Sequence, residues 1–93
     1  MELLVTYHLK NSDAAAFLSA IADIGIPALV RRERGCLRYE YFVPAEGGST
    51  LILLEKWGSA ELQALHLEQT HMQRLAAIKP NYVLSTEVQV IQR

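Results

Sequence analysis

The stretch 53–72, LLEKWGSAELQALHLEQTHM, holds His66, His71, the lone tryptophan Trp57, and Glu55 set in an apolar run. Imidazole changes its charge near neutral pH, so a histidine held by a carboxylate makes a general base for proton abstraction. The same residue types also ligate metals, and two His plus one carboxylate is a recognised set. On one unbroken helix, however, five positions turn about 500°, which leaves roughly 140° between the two rings and puts them on different faces. Thr70 offers a cap that starts a new segment at His71 and frees this geometry. No third ligand stands at a fixed spacing. The expectation is therefore no metal and no cofactor, with His71 or His66 as base and Glu55 orienting it or sharing its proton.

These groups need walls. Leu53, Glu55 and Trp57 alternate onto one face of a strand, and Tyr39 shares a face with Leu37 and Tyr41 on another. Trp57, Tyr39 and Tyr7 are accordingly the expected substrate-binding residues, an aromatic lining with one carboxylate that suits a flat aromatic ring. His8 falls on the other side of its strand, exposed or at an interface. Cys36, the only cysteine, reads as a small buried apolar residue.

The elements that must position these groups follow from periodicity. Residues 2–9 alternate as a strand. Asn11, Ser12 and Asp13 offer caps for a helix carrying Phe17, Leu18, Ile21 and Ile24, which must break near Gly25 and Pro27. A restarted segment, PALVRRER, ends in cations with Gly35 as its stop. Residues 36–43 and 50–57 form two strands joined by the turn PAEGGST. Ser59 caps a helix to about Leu67, and Thr70 caps a second from His71 to Lys79. A last strand places Tyr82, Leu84, Thr86, Val88 and Val90 on one face. The order β-α-β-β-α-β is the split βαβ arrangement of ferredoxin-like α+β folds with a four-stranded antiparallel sheet.

Composition bounds the rest. The chain has 93 residues, enough for one domain spanning 1–93, and 51% of them are hydrophobic. That is more than a domain this small hides easily, and the strand LILL is apolar on both faces, so a second sheet should cover the face the helices leave bare. A homodimer pairing two sheets face to face is expected. Nine Lys and Arg against ten Asp and Glu give a net charge of −1, with no basic run interleaved with aromatics, so no nucleic acid partner is expected. Neither an export signal nor a membrane-spanning run is read, so no membrane partner and a cytoplasmic location are expected.

GCLRYEYF, LILLEKW and ALHLEQTHMQRL, in this order, resemble the antibiotic biosynthesis monooxygenase superfamily, and within it the small quinol monooxygenase-like proteins. The resemblance covers nearly the whole chain. It implies a dimeric α+β barrel with a pocket between sheet and helices in each subunit, and oxidation of phenolic or quinol-type rings by molecular oxygen without a prosthetic group. Haem-degrading relatives carry an Asn on the first strand, a Trp on the second helix and an axial His. Here Thr6 and Tyr7, His66, and Ala76 or Ala77 stand in those regions, which disfavours haem.

The expected function is a cofactor-independent monooxygenase acting on a small phenolic or quinol-like compound and O2. The alternatives are a dimer that binds a small molecule without turnover, or an isomerase of a small carbonyl metabolite.

Overall fold

The alternation of ELLVTYHL becomes strand β1 (Glu2–Leu9), in which Leu3, Val5, Tyr7 and Leu9 are buried and the residues between them half-buried. The computed structural model describes residues 1–93. Helices α1 (Ala14–Ile24) and α2 (Ile26–Arg31) follow, then strands β2 (Cys36–Phe42) and β3 (Thr50–Trp57), helices α3 (Ala60–Leu67) and α4 (Thr70–Ile78), and strand β4 (Val83–Gln92). All strand pairs are antiparallel and the sheet order is β2-β3-β1-β4. This is the expected ferredoxin-like α+β topology.

Local chemistry sets the helix ends. The Asp13 carboxylate accepts the Ala16 N–H at 3.0 Å and opens α1. Gly25, at φ +81°, closes α1 and donates its N–H to the carbonyls of Ile21 and Ala22. Pro27, in the first turn of α2, lacks only an N–H that has no helical partner there. The buried sides of these helices, Phe17 and Ile21 on α1 and Ile26 and Val30 on α2, pack with Val5, Tyr7, Leu51, Leu53, Tyr39 and Trp57 into one core on a single sheet face. Phe17 meets the Tyr7 ring edge-on at 5.3 Å and stacks on Tyr82 at 5.5 Å. Each such side chain, fully buried, stabilises the fold by about 1.5–3 kcal/mol.

Four expectations shift in detail. The segment PALVRRER leaves the helix at Arg31 rather than reaching Arg34, because the Arg31 guanidinium turns onto the Tyr39 carbonyl at 2.8 and 3.1 Å and the chain must bend into β2. A β-bulge lies between Cys36 and Arg38: Cys36 pairs with Trp57 and Arg38 with Lys56, so Leu37 is extruded and does not share the inner face with Tyr39. A second bulge sets Val83 opposite Leu9 and Ser85 opposite His8, which buries Val83 and expels Leu84. Finally, Gln69 holds the N-cap position of α4, and Thr70 is its first helical residue.

The other sheet face carries Leu4 opposite Leu54, Thr6 opposite Ile52, and Phe42 opposite Ile52, with no helix over it.

Candidate functional site

Three elements converge at one end of the inner sheet face. Ser59 Oγ accepts the Leu62 N–H at 3.2 Å and starts α3, whose single buried residue is His66. The chain breaks after Leu67. The Gln69 side-chain amide donates to the Leu65 carbonyl at 3.0 Å, and the Gln69 backbone N–H donates to the His66 carbonyl at 3.2 Å. These bonds satisfy acceptors that the ended helix leaves open, and α4 then restarts at a new angle carrying His71. The five-residue spacing therefore does not keep the two rings apart.

What joins them is Glu33, in the turn between α2 and β2. Its Oε2 lies 2.8 Å from His66 Nδ1 and 2.8 Å from His71 Nε2. With that oxygen accepting from both rings, His66 carries its proton on Nδ1 and His71 on Nε2. In the neutral rings, His66 Nε2 and His71 Nδ1 are then the nitrogens with lone pairs. His66 Nε2 faces Glu55 Oε1 at 4.0 Å, beyond hydrogen-bond length. Glu55 Oε1 in turn accepts the Trp57 indole N–H at 2.9 Å across one strand face. Burial pushes the Glu55 carboxyl above its ordinary range, against the opposing effects of the Trp57 N–H and the His66 ring.

Glu55, Trp57, Tyr39, His66 and His71 are thus brought together. The His66 ring lies against the Trp57 indole at 4.6 Å and the Tyr39 phenol at 5.8 Å. Trp57, Tyr39 and His66 are each about 1% exposed, so these aromatic faces pack on the histidine. Tyr7 lies further along the sheet, buried against Phe17. His8 is on the open face, 2.7 Å from Glu87. The solvent-reaching end of the cluster is Glu33 and His71, whose side chains are 12% and 13% exposed. Beside Glu33 lies a cavity of about 150 Å³ lined also by Arg34, Leu62, Leu65 and Gln69.

Glu33 escaped the sequence reading because RRERG looks like a solvated charged turn. Its only signal is that it is the single acid between cations just before a strong helix stop. With it, the Glu33, His66 and His71 donor atoms lie within 4.8 Å of one another, so these are the residues that could hold a metal.

Burial raises the phenols of Tyr7 and Tyr39 well above the usual range and pushes Tyr41 up to about 12. The folded state therefore binds these protons more tightly than the unfolded chain, where tyrosine ionises near pH 10. Their stabilisation is complete below pH 10 and falls above it, being lost through about 12 for Tyr41 and at still higher pH for Tyr7 and Tyr39. For Tyr41, a rise from the ordinary 10 to about 12 corresponds to about 3 kcal/mol. Chemical denaturation at stepped pH should show stability falling steeply above pH 10, and Tyr41→Phe should reduce that slope.

A small ferredoxin-like α+β protein with a largely buried carboxylate-bridged histidine pair is the class that fold and site define. The chain belongs to the antibiotic biosynthesis monooxygenase family, whose model matches residues 2–78. No curated protein matches it. Among solved structures, a Pseudomonas aeruginosa protein superposes with a TM-score of 0.83 at 18% identity, covering 99% of this chain and 91% of its own. A Shewanella oneidensis protein gives 0.79 at 24% identity, with 95% and 84% covered. A structure described as an antibiotic biosynthesis monooxygenase gives 0.82 at 17% identity, with 99% and 96% covered. At these identities the likeness is one of fold. No helix of the chain is long and apolar enough to cross a membrane.

Proposed function

We propose that the protein is a cofactor-independent monooxygenase that oxidises a small single-ring phenol or hydroquinone with O2. The observation that carries this reading is the Glu33 carboxylate, which holds both histidines and is itself part of the lining of the 150 Å³ cavity. This cavity is open to solvent on one side, and its volume matches that of one aromatic ring. Leu62 and Leu65 offer it apolar walls, and Glu33 offers an acceptor for a ring hydroxyl.

The chemistry needs little else. A phenolate is a far better one-electron donor to O2 than a phenol, so removing the hydroxyl proton opens the reaction. Of the two histidines, His71 stands at the accessible end. Its Nδ1 takes the proton while Glu33 at Nε2 stabilises the imidazolium, and His66 fixes the carboxylate from the buried side. Electron transfer and recombination of the resulting radical pair then form a C–O bond, and the peroxide O–O bond breaks. A hydroquinone plus O2 gives a hydroxyquinone plus water, so atoms and electrons balance with no outside reductant. Oxygen uptake by chelator-treated protein with a panel of single-ring hydroquinones tests this. Uptake no faster than the uncatalysed control across the panel would refute it.

We further propose that the protein works as a homodimer in the cytosol, with the open sheet faces packed together. Leu4, Ile52, Leu54 and Phe42 give that face an apolar centre, and an uncovered apolar sheet face of this kind favours association. A charge placed there would have to be buried unpaired. Light scattering should give twice the chain mass for the wild type and the single chain mass for Leu54→Lys. A monomeric wild type would remove the dimer from this account.

A further inference from the structure

We propose that Glu33, His66 and His71 also form a binding site for one divalent transition-metal cation of the zinc class. The inference goes beyond the oxidation described above and does not rest on it, since binding is read without substrate.

The donor set comes from three separate elements, the turn before β2, α3 and α4, and its atoms already lie within 4.8 Å of one another. Two ligands on a tetrahedral zinc ion, each about 2.0–2.1 Å from it, stand roughly 3.3 Å apart. The two N···O separations are 2.8 Å and the two nitrogens lie within 4.8 Å of each other, so loading moves each ring about half an ångström from Glu33 and brings the nitrogens toward about 3.3 Å. Two imidazoles and a carboxylate suit zinc and its neighbours in the transition series. Magnesium and calcium prefer oxygen ligands throughout.

Loading requires the two ring protons to leave the donor nitrogens. His66 then carries its proton on Nε2, which faces Glu55 Oε1 at 4.0 Å. A carboxylate behind a metal-bound histidine is the usual device for fixing its tautomer and raising its basicity. Glu55 is itself held by the Trp57 indole at 2.9 Å. The buried carboxylate thus stands where a metal-bound His66 would need an acceptor. Glu33 also lines the neighbouring cavity, where Arg34 favours an anion.

Metal-stripped protein titrated with zinc chloride in a calorimeter should take up one zinc per chain, and magnesium chloride should give no binding. Glu33→Gln and His71→Gln should each weaken zinc at least tenfold, and Glu55→Gln about tenfold. His8→Gln, which removes the unrelated His8–Glu87 pair, should leave the stoichiometry unchanged. Long-range ¹⁵N imidazole spectra of the wild type should show the His66 proton moving from Nδ1 to Nε2 on zinc addition. That readout needs no variant to fold. Absence of zinc binding, equal binding of magnesium, or unchanged affinity in Glu33→Gln would each overturn the site.

Discussion

His71→Gln lowers kcat for hydroquinone oxidation by about 10² to 10⁴-fold, the usual contribution of a positioned general base, and leaves KM within a few-fold of the wild type. The glutamine side-chain N–H reproduces the donor that His71 Nε2 presents to Glu33 at 2.8 Å, so the carboxylate keeps both hydrogen bonds. What the variant lacks is the second, basic ring nitrogen. Glutamine is also at least as good a helix former as histidine at this first-turn position, so an unchanged melting temperature accompanies the loss of rate. The companion is His66→Asn, whose amide N–H stands in for His66 Nδ1. It should slow turnover far less, because the buried ring positions the carboxylate and does not meet substrate. Steady-state oxygen uptake separates the two. Equal rates for His71→Gln and the wild type would end the assignment of His71 as base, and the reverse ranking would move that role to His66.

The sequence foretold the frame well because most of it rests on short-range periodicity. β1 and β3 alternate without interruption, and caps at Asp13 and Ser59 announce their helices. The phase was legible only up to one bulge in β2 and two register shifts in β4, since a single extra residue such as Leu37 or Leu84 carries no local mark. The site was half legible. Glu55 and Trp57 lie two residues apart on one strand, and their bond follows from the pleat. Glu33 lies 33 and 38 positions from its histidine partners, so only the packing of three elements creates the bridge. The angle between α3 and α4 is likewise set by the bonds Gln69 makes back to Leu65 and His66, which a propensity reading treats as generic polarity.

Gly35→Ala tests whether that packing is as tightly specified as the bridge requires. Gly35 sits at φ +84°, where a β-carbon costs about 1–2 kcal/mol. A methyl there would also press on Leu62 of α3, coming within 2.9 Å of its Cβ and closer still to its Cδ1. Overpacking of this kind adds about 1–3 kcal/mol. The two effects sum to roughly 3 kcal/mol, or a melting temperature lowered by about 12–24 °C for a domain of this size. Two controls divide the sum. Gly47→Ala shares the positive φ, at +75°, but its added carbon meets nothing within 4 Å, so it isolates the backbone effect at about 1 kcal/mol. Gly58→Ala places its carbon 3.4 Å from the same Leu62 Cδ1, an ordinary contact, and should be close to neutral. The excess of Gly35→Ala over Gly47→Ala therefore measures the push on α3. Leu62 and His66 lie one turn apart on that helix, so the same push draws His66 off Glu33. Turnover measured well below the lowered melting temperature should then fall with it. A folded Gly35→Ala variant with full activity would show that α3 can shift without loosening the carboxylate bridge, and the bridge would no longer explain the site's precision.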